Sequence, residues 1–104
     1  MEHNKLVRDR IPEIIEKSRR TAVTRVLDDA EYARCLEKKL DEEVAEFHRD
    51  QNIEELADIL EVVLALCSAK GHTVKELETA YRKKHESRGG FEEKIYLIRT
   101  EDNE

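Results

Sequence analysis

The chain has 104 residues, a formal net charge of −6 and charged side chains at 42% of its positions. This length predicts a single domain over residues 1–104, and the acidic balance argues against a general nucleic-acid-binding protein. The three glycines and one proline accompany many Glu, Lys, Arg and Leu residues, a composition that favours an all-α, mainly helical fold.

Two further features concern the cellular compartment. No apolar run approaches the roughly 20 residues of a membrane helix, and the first residues contain no hydrophobic signal-peptide core. Cys35 and Cys67 lie at no metal-ligand spacing and fall on apolar stretches of predicted helices. We therefore predict a cytoplasmic protein with reduced thiols and no membrane partner.

The first third of the chain predicts one short helix followed by one strand. Residues 3–10 are expected to be irregular, and Pro12 suits the first turn of a helix that ends near Arg20. The next segment, TAVTRVL at 21–27, alternates and is rich in β-branched residues, which is typical of a short strand.

The middle of the chain predicts two long helices in an antiparallel hairpin. Asp28 or Asp29 is suited to cap a helix over about 30–49. Asn52 is suited to cap the next helix, over 53–70, and Gly71 to end it. The connection between these helices is short, so we expect the end of one to lie beside the start of the other.

The last third predicts a fourth helix and a second strand. Thr73 and Glu76 have capping-box spacing at the start of this helix, and the pair Gly89–Gly90 marks its end. The segment KIYLIRT at 94–100 again has the composition of a strand. We therefore predict a four-helix bundle with a small two-stranded β ribbon, formed by 21–27 and 94–100.

One stretch, residues 41–61, contains nine carboxylates and one strong base, Arg49. Glu43 and Glu46 are three residues apart on the second helix, and Glu55 and Asp58 have the same spacing on the third. Because the hairpin brings the two pairs towards each other, a cation is needed to offset their repulsion. An all-carboxylate set favours a hard metal, Mg²⁺ or Mn²⁺, over zinc.

An ordinary solvated helix face is the alternative interpretation. On a helical wheel Glu54, Asp58 and Glu61 share one polar sector, and the opposite side is apolar, with Leu56, Leu60, Val63, Leu64 and Cys67. Against this alternative, the acidic stretch lacks i, i+4 basic partners, and two of its acids interrupt an apolar run. The residues alone leave both interpretations open.

Several motifs together resemble a known family. EEVAE at 42–46 followed by ELAD at 55–58 resembles the EExxE…ExxD signature of the all-α nucleoside triphosphate pyrophosphohydrolases, which include MazG. NKLVRDRIPEII at 4–15 and SRGGFEEKIYLI at 87–98 are similar to the terminal motifs of small phosphoribosyl-ATP pyrophosphohydrolase-like proteins. The resemblance covers nearly the whole chain.

The resemblance implies specific roles for the acids. It identifies Glu43, Glu46, Glu55 and Asp58 as Mg²⁺ ligands, with Mn²⁺ as a substitute, and Glu42 as a further ligand or nearby acid. Glu42 or Glu46 is expected to accept the proton of an attacking water. Only eight residues separate Glu46 from Glu55, a shorter gap than in MazG proper.

The phosphates of a substrate also require cationic contacts. Basic residues flank the first helix and the glycine pair, and we predict phosphate contacts from Lys5, Arg8, Arg88 and Lys94. Arg8 and Arg88 are preferred because they lie inside the matching motifs and because Arg offers several donors in one plane.

The expected activity is therefore hydrolysis of a nucleoside triphosphate between the α and β phosphorus atoms, giving a monophosphate and pyrophosphate. One alternative, motivated by the short gap, is a non-catalytic helical dimer that binds a nucleotide or a partner protein. Another is a phosphoribosyl-ATP pyrophosphohydrolase. The apolar face of the third helix predicts a homodimer or a dimer of dimers.

Overall fold

The computed structural model describes residues 1–103, and this part of the chain contains four α-helices and no β-strand. The helices are α1 (Ile11–Lys17), α2 (Asp29–Asp50), α3 (Ile53–Ala69) and α4 (Val74–Arg88). The predicted all-α class is therefore confirmed. The chain divides into two compact units, Met1–Val74 and Lys75–Glu104, and a single domain over 1–104 stays a prediction.

Helices α2 and α3 form the predicted hairpin, and local capping explains where each begins. The Asp28 carboxylate accepts a hydrogen bond from the Glu31 amide at 2.8 Å, which starts α2. Gln51 ends α2 in the left-handed conformation, with φ 54°, and its amide donates to the Phe47 carbonyl at 2.8 Å. Asn52 then caps α3. The connection is only two residues long, so the helices run antiparallel.

Glycines follow the last residues of α3 and α4, as predicted. Gly71, with φ 85°, follows α3 and donates its amide to the Ser68 carbonyl at 3.0 Å. Gly89, with φ 79°, follows α4 and donates to the His85 carbonyl at 2.7 Å. Positive φ carries little steric cost without a Cβ, so these positions suit glycine.

The predicted β ribbon is wrong. Neither 21–27 nor 94–100 has regular secondary structure. Val26 is 97% exposed, and Arg25 instead binds the Glu31 carboxylate with contacts of 2.9 and 3.3 Å, which ties the first segment to the start of α2. Strand-like composition stabilises a strand only when a neighbouring strand pairs with it, so alternation alone was not sufficient.

The interface between α2 and α3 contains the buried hydrophobic side chains of the described residues, Leu36 and Val62. Leu56 and Leu60, on the apolar side of α3, are 49% and 56% exposed. The face that meets α2 lies about a third of a turn away. It carries Glu55, Asp58, Ile59 and Val62.

No helix among residues 1–103 combines the length and the apolar character that crossing a membrane requires.

Candidate metal centre

Four carboxylates converge where α2 and α3 face each other. Glu43 and Glu46 come from α2, and Glu55 and Asp58 come from α3. Each contributes one oxygen atom to a group in which all four oxygens lie within 4.8 Å of one another. The structure thus brings together the four acids that their spacing placed on facing helices. We call this group the acidic cluster.

The hairpin connection fixes one side of the acidic cluster. The Asn52 side chain accepts a hydrogen bond from the backbone amide of Glu55 at 3.1 Å, which holds Glu55 in the first turn of α3. Asp58 follows one turn later on the same face. A local capping interaction therefore determines where two of the four acids lie.

Burial distinguishes the acidic cluster from a solvated helix face. Glu43 is only 7% exposed, and it is the buried polar or charged residue of the described chain. One oxygen of Glu43 and one of Glu55, both Oε2 atoms, are buried and have no hydrogen-bond partner among the described residues. Leaving such atoms unpaired costs about 1–3 kcal/mol each. A bound cation would supply the missing partner.

The electrostatics of the acidic cluster favour protonation in the absence of a cation. Burial, followed by the nearby Glu46 carboxylate, raises the pKa of Glu43 above its ordinary value. The same two causes, in the same order, raise the pKa of Glu55. Asp58 adds to both shifts. These acids therefore lie in an environment that opposes their negative charge, unlike acids on an open surface.

Lys39 is a basic partner that the sequence interpretation missed. Its ammonium lies 3.5 Å from Glu43 Oε1 and 3.6 Å from Glu42 Oε2. Glu43 therefore has an i, i+4 basic partner, and the predicted lack of such partners is wrong for this residue. Lys39 lies two residues before the acidic stretch 41–61, and its i, i+4 spacing to Glu43 is visible in the sequence. It lowers the pKa of Glu43 but does not offset the other causes.

The geometry fits a hard metal ion. Oxygen ligands lie about 2.1 Å from Mg²⁺ and about 2.3–2.6 Å from Ca²⁺, so opposite ligands of one ion are roughly 4–5 Å apart. The four oxygens fall within 4.8 Å of one another, which is in this range. Carboxylate oxygens alone favour such ions over softer metals. The acidic cluster could therefore hold a metal ion.

Glu42, a predicted base or ligand, lies outside the four-oxygen group. It is half-buried, and its Oε2 atom lies 3.6 Å from the Lys39 ammonium.

Arg8 forms an ion pair with Asp58 of the acidic cluster, and its predicted phosphate contact stays a prediction. Its guanidinium donates to Asp58 Oδ1 at 2.7 Å and lies 3.8 Å from Glu61 Oε1. Arg8 and Asp58 are 50 positions apart, so local sequence patterns gave no signal for this contact. Lys5 is exposed, and its phosphate contact stays a prediction.

The other two predicted phosphate contacts share one hollow in the unit Lys75–Glu104. Arg88 and Lys94 line a space of about 390 Å³ together with Gly89 and Gly90. Lys94 has a positive φ of 60°, and its amide donates to the Phe91 carbonyl at 3.1 Å. The structure therefore places these two basic residues around the same hollow.

Comparisons with known proteins add one partial relative. A protein of Mycolicibacterium smegmatis, described as uncharacterized, is 66% identical over 41 residues, which is 39% of this chain and 42% of that protein. The match thus spans less than half of either chain. No family model matches the sequence. No solved structure matches it either.

Proposed function

We propose that this protein is an Mg²⁺-dependent nucleoside triphosphate pyrophosphohydrolase that releases a monophosphate and pyrophosphate, in a nucleotide-pool cleaning role. The observation that carries the proposal is the acidic cluster, in which two buried carboxylate oxygens have no partner. A group of acids held in this way suits a divalent cation far better than it suits water. The motifs at 4–15 and 87–98 direct the proposal towards this family.

In this proposal Glu43, Glu46, Glu55 and Asp58 hold the metal. When bound, Mg²⁺ neutralises phosphate charge and acidifies a water molecule, the chemistry that phosphoanhydride hydrolysis needs. Glu42 is the preferred base, because it adjoins the acidic cluster without belonging to it, and Glu46 is the second candidate. Lys5 supplies a phosphate contact, the contacts predicted for Arg88 and Lys94 stay predictions, and Arg8 is considered below.

The eight-residue gap between Glu46 and Glu55 motivated a non-catalytic alternative. In the structure this gap holds the end of α2, a two-residue connection and the start of α3. With this gap the four carboxylate oxygens lie within 4.8 Å of one another, which supports the catalytic proposal over the alternative.

The test is a panel of nucleoside and deoxynucleoside triphosphates with Mg²⁺ or Mn²⁺, resolving pyrophosphate from orthophosphate. We expect pyrophosphate plus monophosphate, and no activity with a chelator. Saturable nucleotide binding without turnover of any substrate would favour the non-catalytic dimer. Turnover of phosphoribosyl-ATP well above that of all triphosphates would favour the biosynthetic reaction instead.

We also propose that the active form is a homodimer assembled through α3. Ile53, Leu56 and Leu60 are 76%, 49% and 56% exposed, and they share one side of this helix. Each leucine contributes about 1.5–3 kcal/mol when it is fully buried. A second copy packed on this face would complete a four-helix bundle made of two hairpins. A dimer of dimers is the larger alternative.

The dimer is tested with Leu60→Glu, and Val26→Glu in an exposed connection is the matched control. A symmetric interface contains every substitution twice, so we expect Leu60→Glu to raise the dissociation constant at least about a hundredfold. Light scattering at micromolar concentration should give about twice 12.2 kDa for the parent and the control, and 12.2 kDa for Leu60→Glu. A monomeric parent would contradict the proposal.

A further inference from the structure

The segment before α1 places the Arg8 guanidinium against Asp58 of the acidic cluster. Arg8 lies in a stretch without regular secondary structure, and its carbonyl accepts a hydrogen bond from the Ile11 amide at 3.0 Å as α1 begins. Leu6 and Val7, immediately before it, are half-buried. The backbone is therefore anchored on both sides of Arg8, and the long side chain reaches Asp58.

The contact between Arg8 and Asp58 is short but easily broken. The two side chains are 54% and 38% exposed, and the second carboxylate, Glu61, is 56% exposed and lies 3.8 Å away. Exposed ion pairs of this kind contribute about 0–1 kcal/mol. Water can replace either partner at little cost. The Arg8–Asp58 ion pair is therefore weak and exchangeable, and within the acidic cluster it neutralises Asp58.

The remaining charge in the acidic cluster is not neutralised to the same degree. The buried Glu43 has a lysine beside one oxygen, but its Oε2 atom has no hydrogen-bond partner, and neither has the buried Oε2 of Glu55. Among the described residues, the Arg8 guanidinium forms ion pairs with Asp58 and Glu61. A divalent ion bound among the four oxygens would therefore satisfy atoms that Arg8 leaves unpaired, and it would also compete with Arg8 for Asp58.

We propose that Arg8 is a built-in counter-cation of the metal centre, which neutralises Asp58 while no metal is bound and releases it when a divalent cation binds. This inference rests on the proposed metal-dependent function. The released guanidinium stays anchored next to the site, where its five donors are free for a phosphate group. Arg8 is thus a positioning residue for the metal ligand Asp58.

The test measures Mn²⁺ affinity by calorimetry for the parent, Arg8→Gln and Arg8→Lys, without nucleotide. Removing a competing cation from an exposed pair should tighten Mn²⁺ binding about two- to fivefold in Arg8→Gln. Arg8→Lys keeps the charge and should bind as the parent does. Arg10→Gln is the matched control, because Arg10 is two positions away, is 81% exposed and pairs with Glu13 instead. It should leave the affinity unchanged.

A second readout follows the arginine itself. In an Mg²⁺ titration monitored by NMR, the side-chain Nε–H signal of Arg8 should move, whereas that of Arg10 should not. Weaker or unchanged Mn²⁺ binding in a helical Arg8→Gln variant would overturn the role of Arg8 and leave the metal site intact. Absence of Mn²⁺ binding in the parent would overturn both.

Discussion

Glu43→Gln and Asp58→Asn should each lower Mg²⁺-dependent pyrophosphate release at least about a hundredfold. Both residues belong to the acidic cluster, and each substitution removes a negative charge while it keeps nearly the same shape. Loss of groups that only orient a metal ligand already lowers affinity or activity by about 10- to 100-fold, so loss of a ligand should exceed that range. The measurement is a steady-state assay at saturating Mg²⁺, with helix content followed by circular dichroism.

Matched controls exist on the same two helices. Asp41→Asn on α2 and Glu54→Gln on α3 make the same chemical change at exposed acids outside the acidic cluster. Both variants should retain activity within about twofold of the parent, because salt in solution screens the charges of exposed side chains. Parent-level activity in Glu43→Gln or Asp58→Asn would contradict the proposed site.

Glu42 and Glu46 separate the role of base from the role of ligand. We expect Glu42→Gln to lower kcat while Mn²⁺ affinity stays at the parent level, because Glu42 lies outside the four-oxygen group. Glu46→Gln should lower both quantities. A Glu42→Gln variant with parent kcat would exclude Glu42 as the base.

Glu43→Gln should also have a large effect on stability. The substitution is expected to stabilise the metal-free protein although it lowers activity. Metal-free Glu43→Gln should be more stable than the parent by about 1–2 kcal/mol, because an amide can donate to Glu46 where a carboxylate repels it. For a domain of this size that change raises Tm by about 4–8 °C per kcal/mol. Saturating Mn²⁺ should reverse the order, since only the parent keeps the full ligand set.

The stability difference should also depend on pH. The pKa of Glu43 is raised in the folded protein, by burial and then by Glu46, above the ordinary value of 4.5. Its contribution to stability is therefore fully present below about pH 4.5, where the side chain is protonated in both states, and is lost as pH rises through the folded-state pKa. Lys39 and Asp58 act on the same carboxyl, in opposite directions.

Thermal melts with a chelator, at several pH values, would measure this dependence. The advantage of Glu43→Gln over the parent should be small near pH 4.5 and should grow towards neutral pH. Comparing the two proteins at each pH removes the contributions of titrating groups that do not interact with Glu43. A difference that is constant with pH would show that repulsion at Glu43 does not limit stability.

The helices were predictable because their signals are local. Asp28 and Asn52 accept amide hydrogen bonds from residues three positions later, and Gly71 and Gly89 provide positive φ at helix ends. Such interactions need only a few neighbouring residues, so the sequence displays them directly. The strands were different, because 21–27 and 94–100 need a partner strand that the sequence pattern cannot supply.

The orientation of α3 could not be predicted for a related reason. A helical wheel shows which residues share a face, but it does not show which face packs. On the wheel Leu56 and Leu60 fall on the apolar side opposite Asp58, whereas the structure turns Asp58 towards the acids of α2 and leaves both leucines about half exposed. The contact between Arg8 and Asp58 was unpredictable for the same reason, since it depends on tertiary packing across 50 positions.

The two-residue connection between α2 and α3 has a consequence for evolution and engineering. Each residue of a helix turns it by about 100°. If the loop lost one residue while α2 stayed in place, Leu56, Leu60 and Val63 would occupy the positions that face α2. The result would be a conventional apolar hairpin with every acid still in the sequence but no metal centre. Loop length thus determines which face of α3 meets α2, and a one-residue deletion there should separate the two acid pairs.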